Sequence, residues 1–320
     1  MTGYELPEVP CPENYLPIHM AGEGTNGYAY FCIPKRSITS PTNQSDLKKL
    51  RSKICVVKVA TSRRFRKRDA VKREVDSLLA VQTQGGSLSK RVVQIVDIGG
   101  INELAGPWYA MAPIYGKSLD AFMRPYLIED KSVPQAFVWH VFFQLFEGLA
   151  YLHSPRMVHG DLCSGSVMLD SAHQDYPGFP NVVLIDFGSY EAPTGNEEEL
   201  KEAVASDAWQ AYDIVHRLTW RGYQEPKLDP ENDLDWANFI NGLKDMKRAS
   251  GNLARRLQGW DTREFLKRFG DIAANRRKGT TPEILQEIQE ALNLKEIHKT
   301  LDQKLRAAVE WHSLEQVVEP

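Results

Sequence analysis

The sequence predicts an α+β chain of two lobes, a small β-rich lobe with one helix followed by a larger helical one. Two observations lead there. Residues 15 to 114 are mostly short β-rich runs separated by turns, with a single helical stretch. After Gly116 apolar residues recur at helical spacing almost to the end of the chain. At 320 residues the chain has the length for two domains, or for one domain of two lobes with a sizeable core.

Taken in order, strands are expected at Ala29–Ile33, Ile54–Ala60, Arg91–Ile98 and Trp108–Ala112, where β-branched and aromatic residues gather. A helix is expected over Arg68–Val81, since Ala70, Val71, Val75, Leu78 and Leu79 fall at helical spacing. Pro34–Lys53 is rich in Ser, Thr, Pro and Lys and reads as an exposed loop. In the second lobe Ser132 and Pro134 signal a helix start. Phe137, Val138, Val141, Phe142, Leu145, Leu149 and Leu152 then mark a buried face. Further helices are expected from Ser206 to about Trp220 and within Leu234–Phe269. Thr280-Thr281-Pro282-Glu283 is a capping signal, and Ile297, Leu301 and Leu305 recur every four residues. The chain therefore should end in one or two amphipathic helices packed on the body.

Hydrophobic content of 42% and charged content of 25% are ordinary for a globular soluble protein. A net charge of −3 gives no reason to expect a nucleic-acid or membrane partner. Cys11, Cys32, Cys55 and Cys163 are scattered, without zinc-ligand spacing, which suits a reducing compartment. The start Met-Thr-Gly-Tyr has neither a basic nor an apolar run, so no signal peptide is expected. Ala136–Leu152, the richest apolar stretch, carries His140, Gln144 and Glu147 and is too short to span a bilayer. The expectation is a soluble intracellular protein, cytoplasmic or nuclear.

Four segments carry chemistry. Gly22-Glu23-Gly24-Thr25-Asn26-Gly27-Tyr28-Ala29 fits G-x-G-x-x-G-x-V with alanine at the last place. Such glycines let backbone N–H groups approach phosphates, although a Rossmann turn or an ordinary hairpin gives the same letters. No helix pattern opens at Gly24, which excludes the Rossmann unit. Lys58 lies within the strand Cys55-Val56-Val57-Lys58-Val59, and Glu74 follows sixteen residues later on the predicted helix. A strand lysine and a helix glutamate can form an ion pair that aims the ammonium at nucleotide phosphates. Equally, Lys58 can snorkel from a surface strand while Glu74 is solvated. His159-Gly160-Asp161-Leu162-Cys163-Ser164-Gly165-Ser166 is followed by Asp186-Phe187-Gly188. Two aspartates framed this way suit phosphoryl transfer from Mg-ATP, one orienting the attacking hydroxyl and the other holding the metal.

Glycine loop, strand lysine, helix glutamate, H-x-D loop and D-F-G appear here in one order. As a set they resemble the eukaryotic protein kinase superfamily, over about residues 18 to 290. Tyr109–Ile114 is similar to the hinge strand, with Met111 as gatekeeper. Ser206-Asp207-Ala208-Trp209 is similar to the helix whose aspartate supports the catalytic-loop backbone, and Asn275-Arg276-Arg277 to the late arginine segment. The resemblance implies a bilobal kinase-like fold: an N-terminal extension at 1–17, an N-lobe at 18–114, a C-lobe at 115–290 and a helical tail at 291–320. It implies ATP and Mg²⁺ as cofactors. Asp161 would be the catalytic base, and Asp186 with Ser166 the metal ligands. Lys58 would contact the α and β phosphates with Glu74 as its partner. Ala21, Gly22, Gly24 and Gly27 would cover the nucleotide, and Ala29, Val56, Met111, Pro113 and Met168 would line the adenine pocket. His159, Phe187 and Leu78 would stack as a hydrophobic link between the lobes, a structural role. The implied activity is transfer of the γ-phosphoryl group to a protein Ser/Thr hydroxyl. A nucleotide-binding pseudokinase acting as a scaffold and a small-molecule kinase are the alternatives, and the motifs name neither the protein substrate nor a scaffold partner.

Four departures bear on activity. Ser166 stands where the family has asparagine, and its shorter side chain should weaken a second metal site. Cys163 replaces a lysine that would stabilise the transferring group. Gly160 replaces the arginine of H-R-D, so a phosphorylated activation loop has no obvious docking partner. The segment from Asp186 to Asp207 is short and lacks A-P-E; Glu191-Ala192-Pro193 is a partial echo, followed by an acidic run. Separately, Arg63, Arg64, Arg66, Lys67, Arg68, Lys72 and Arg73 form a basic cluster, either a nuclear-localisation or acidic-partner patch or an exposed approach to the Glu74 helix.

Overall fold

The computed structural model describes residues 11–24, 27–38, 44–60, 65–100, 107–154, 156–187, 197–249 and 262–318. The chain divides into two compact units. The first joins Met1–Gln82, Val93–Pro113 and Leu294–Pro320; the second joins Thr83–Val92 to Ile114–Asn293.

In the first unit a five-stranded sheet has the order β1-β2-β3-β5-β4, every pair antiparallel. Its strands are β1 (Tyr15–Glu23), β2 (Gly27–Pro34), β3 (Cys55–Ala60), β4 (Ile95–Gly99) and β5 (Trp108–Met111). β1 was not anticipated from the sequence. Alternation places Tyr15, Tyr30, Cys32, Cys55, Val57, Val59 and Ala110 in one apolar cluster. Leu16, Ile18 and Ile33 point the other way, into a second cluster with Leu50, Ile54, Leu305, Ala308 and Val309. Two helices supply that second cluster: α1 (Gln44–Arg51) and the terminal α9 (Leu294–Val318), which packs along β1. The expected loop at Pro34–Lys53 is thus corrected, since its latter part is helical. Leu47 and Leu50, three apart, dock against residues of α9 some 250 positions later, a partner invisible to local composition. Arg51 fixes the contact by donating to Asp302 Oδ1 at 2.6 Å and to His298.

The helix of this unit, α2 (Phe65–Gln84), runs three residues beyond the predicted span at each end. Ala70, Val71, Val75 and Leu78 are buried as expected, whereas Leu79 is 38% exposed. β4 starts at Ile95, four residues later than predicted. Ser89–Arg91 is instead a 3-10 turn, and Val92 bridges to Leu184 of the second unit's sheet.

The second unit is mainly helical, with a three-stranded antiparallel sheet of order β6-β7-β8: Gly116–Ser118, Val167–Asp170 and Asn181–Leu184. Its helices are α3 (Leu119–Ile128), α4 (Gln135–His153), α5 (Glu197–Leu218), α6 (Leu234–Ala249), α7 (Thr262–Arg276) and α8 (Pro282–Leu292). α4 is buried on nearly every side, so its apolar content exceeds one amphipathic stripe. Around it Trp139, Phe142, Phe146, Tyr212, Phe239 and Phe265 pack as tilted and edge-on rings, with the Phe142 and Phe146 centroids 4.7 Å apart. Thr281 caps α8 by accepting the Ile284 N–H at 3.4 Å, as its capping signal predicts. α5 starts at Glu197, nine residues before the expected start, and its first-turn glutamates suit the positive end of a helix. Among the described residues no helix is long and apolar enough to cross a membrane.

Candidate phosphoryl-transfer site

In the first unit, strand register gathers several of the predicted residues. Cross-strand partners share a face of a sheet, and so do residues two apart on one strand. Ala29 faces Lys58, and Val56 faces Met111, so all four side chains lie on one face. Ala21 and Gly22 stand at the exposed end of β1, and Gly24 and Gly27 close the hairpin, where the Gly24 N–H donates to the Gly27 carbonyl at 2.9 Å. Position 27 admits only glycine: a Cβ there would lie 2.4 Å from the Val59 carbonyl oxygen. Thr25 and Asn26 lie outside the described residues.

Lys58 and Glu74 meet. The Lys58 ammonium donates to Glu74 Oε1 at 2.9 Å and to Oε2 at 2.7 Å. Glu74 is fully buried and Lys58 is 9% exposed, which decides against a snorkelling lysine and a solvated glutamate. Two charges taken this far from water persist only as partners. Pro113 is half-buried just beyond β5.

In the second unit, a separate group of the predicted residues gathers around Asp207 of α5. This buried carboxylate accepts the backbone N–H of His159 at 2.6 Å and of Gly160 at 2.9 Å, and the His153 Nε2–H at 3.1 Å. Three donors compensate its burial and clamp the loop that presents Asp161. One turn further along α5, Gln210 accepts the Leu162 N–H at 3.0 Å. His159 Nε2 donates to the Ile185 carbonyl at 2.9 Å, and its ring packs on Phe187 with centroids 4.7 Å apart. His159 therefore grips both neighbours of Asp186. Asp161 and Asp186 are both exposed, and Asp186 holds a left-handed φ of 67°. Such a conformation in a non-glycine residue costs about 1–3 kcal/mol and is held by its surroundings.

Ser166 is buried in a closed turn. Its hydroxyl donates to the Cys163 carbonyl at 2.9 Å and accepts the Cys163 N–H at 2.9 Å. Cys163 itself is exposed. Met168 is half-buried on β7, beside Ser118 and Val183. Gly160 has a φ of 83°, a region that favours glycine and so accounts locally for the residue standing where the family has arginine. Gly188, the Glu191-Ala192-Pro193 echo, Arg63 and Arg64 lie outside the described residues; Lys72 and Arg73 are exposed.

His153, Gln210 and Thr262 were missed by sequence reasoning. Thr262 Oγ1 stands 3.4 Å from His153 Nδ1 and so completes the ring's second contact. Gln210, three residues after Asp207 on the same helix face, was the most legible of them.

The donor set fits the cofactors only in part. An exposed carboxylate at Asp186 offers the hard oxygen Mg²⁺ prefers, and the hairpin glycines suit a phosphate chain. Ser166 fits a metal less well, because a metal would compete with the turn that already uses its hydroxyl.

Comparison with known proteins bears on the segments from Lys58 to Asp207. Residues 44–232 match the family model described as the protein kinase domain. Over 62 residues the chain is 42% identical to the eIF-2-alpha kinase GCN2 of Schizosaccharomyces pombe, a stretch covering 19% of this chain and 3% of that protein. Over 131 residues it is 27% identical to the serine/threonine-protein kinase CLA4 of Candida albicans, covering 40% of this chain and 12% of that one. The match thus spans only a small part of either relative. The solved kinase domain of Mycobacterium tuberculosis PknI aligns with a TM-score of 0.52 at 19% identity, covering 83% of this chain and 99% of that one, a likeness of fold.

Proposed function

Because the chain belongs to the protein kinase domain family, we propose that it transfers the γ-phosphoryl group of Mg-ATP to a Ser or Thr hydroxyl of a protein. The observation that carries this reading is the sealed Lys58–Glu74 pair, whose geometry holds an ammonium in one place for nucleotide phosphates. Mg²⁺, held by Asp186, would neutralise charge on the phosphates. Asp161 accepts the proton of the attacking hydroxyl, and the Asp207 clamp fixes where it does so. The Ser/Thr acceptor is supported by the activity named for the CLA4 relative.

A second reading is a nucleotide-binding scaffold without transfer, and the closed Ser166–Cys163 turn favours it. Mg-ATP turnover by the purified chain separates the two. Under the first reading Asp161→Asn lowers turnover by about 10²–10⁴-fold, and Ser166→Asn raises it if the second metal position limits the chemistry. Parent turnover equal to that of Asp161→Asn, with ATP still bound, would establish the scaffold.

A further inference from the structure

The second unit holds a charge cluster that phosphoryl transfer does not use. Arg91, at the end of the Ser89–Arg91 turn, is 4% exposed. Its Nη2 donates to Glu147 Oε2 at 3.1 Å and to Asp175 Oδ2 at 2.9 Å. Its Nε and Nη1 are sealed and have no hydrogen-bond partner among the described residues. Arg277 lies beside it, with its guanidinium carbon 4.6 Å from the Phe143 ring centre and 4.8 Å from that of Tyr176. The Arg277 Nε is likewise sealed and without a partner. Lys90 joins the group through Asp175 at 2.8 Å.

These cations and carboxylates line one cleft of about 390 Å³. Three positive groups, Lys90, Arg91 and Arg277, face two negative ones, Glu147 and Asp175. Burial pushes the Glu147 carboxyl above its usual range despite Arg91. Burial, with Arg91 adding to it, also pushes Arg277 below its ordinary value while Glu147 and Tyr176 oppose the shift. Arginine stays charged regardless, so the cleft keeps one cation more than it has carboxylates among these groups.

We infer that this cleft binds a phosphate-class oxyanion. The aromatic rings hold the Arg277 fork in place, so little side-chain freedom is lost on binding. The sealed Arg91 adds its field from behind without having to touch the ligand. A phosphate group near pH 7 carries about −1.5 to −2 charges, enough to balance the one cation by which Lys90, Arg91 and Arg277 outnumber Glu147 and Asp175. The cleft is also roomier than a bare ion needs, which favours a phosphoryl group carried on a larger molecule.

The test uses the full chain and two probes, inorganic phosphate and a phosphoserine peptide, with binding followed by calorimetry. Arg277→Gln should weaken the probe that binds by at least about tenfold, the effect of one lost charge-assisted contact. Lys90→Gln alters a half-exposed side chain and should weaken it severalfold without affecting folding, checked by thermal melting. The double variant Lys58→Met with Glu74→Leu, which strands no buried carboxylate, should leave binding unchanged when its thermal melt shows it folded. Peptide binding with no response to inorganic phosphate identifies a phosphoprotein as the source, and equal response identifies the small ion. The inference is overturned if neither probe binds, or if the folded double variant loses binding while the Arg277 and Lys90 variants retain it.

Discussion

Lys58 and Glu74 show how one pair of residues joins stability to chemistry. A glutamate with no exposure tolerates its charge only because the ammonium sits 2.7 Å away. Removing the lysine alone, in Lys58→Met, should cost about 3–5 kcal/mol, since it strands a buried carboxylate. The double variant Lys58→Met with Glu74→Leu should recover much of that loss while leaving transfer abolished. Urea unfolding midpoints of the three proteins decide it, and additive losses would count against the pair acting as a unit. Gly160 carries a second expectation. With a φ of 83° and no side chain, position 160 offers no guanidinium to a phosphorylated activation loop. Turnover measured before and after phosphatase treatment should therefore agree, and a large drop would sink the idea.

At the scale of elements, the sequence was legible where a pattern is local. α2, α4 and the start of α8 follow from apolar spacing and caps, and the residues of the catalytic loop from their order along the chain. α1 was not legible, because its apolar pair is meaningful only against α9. β1 was missed for a related reason: at Tyr15–Ile18 both its faces are covered, one by the sheet's own cluster and one by helices, while His19–Glu23 are exposed, so no alternation runs along it. At the site, the Asp207 clamp was anticipated, whereas the closure of Ser166 onto Cys163 was not, since nothing in the letters tells whether a serine faces a metal or its own turn. The dependence of the first unit on α9 can be measured. Leu305 is 1% exposed in the cluster that joins α9 to β1 and α1. Leu305→Ala should destabilise the chain by about 2–5 kcal/mol. If its urea midpoint matches the parent's, the contact is dispensable.

For the molecule as a whole, acid stability depends on a group far from the transfer chemistry. His140 is fully buried, its Nε2 donating to the Pro180 carbonyl at 2.8 Å, and burial holds its imidazole down to about 3 from an ordinary 6.5. The folded chain thus prefers the neutral ring. That preference stabilises the fold above about pH 6.5 and is lost as pH falls toward 3, with a slope of about 1.4 kcal/mol per pH unit within that window. Urea midpoints taken from pH 7 to pH 4 should fall more steeply for the parent than for His140→Gln; parallel slopes would exclude His140 as the cause. The seating of α9 on β1 also has a consequence during synthesis. The strand emerges first and its covering helix about 280 residues later, so at roughly 5–20 residues per second the first unit waits tens of seconds for its last piece. For that interval Leu16, Ile18 and Ile33 have only the α1 side of their cluster, Leu50 and Ile54, to pack against. On the ribosome, β1 is made well before the helix that completes its packing.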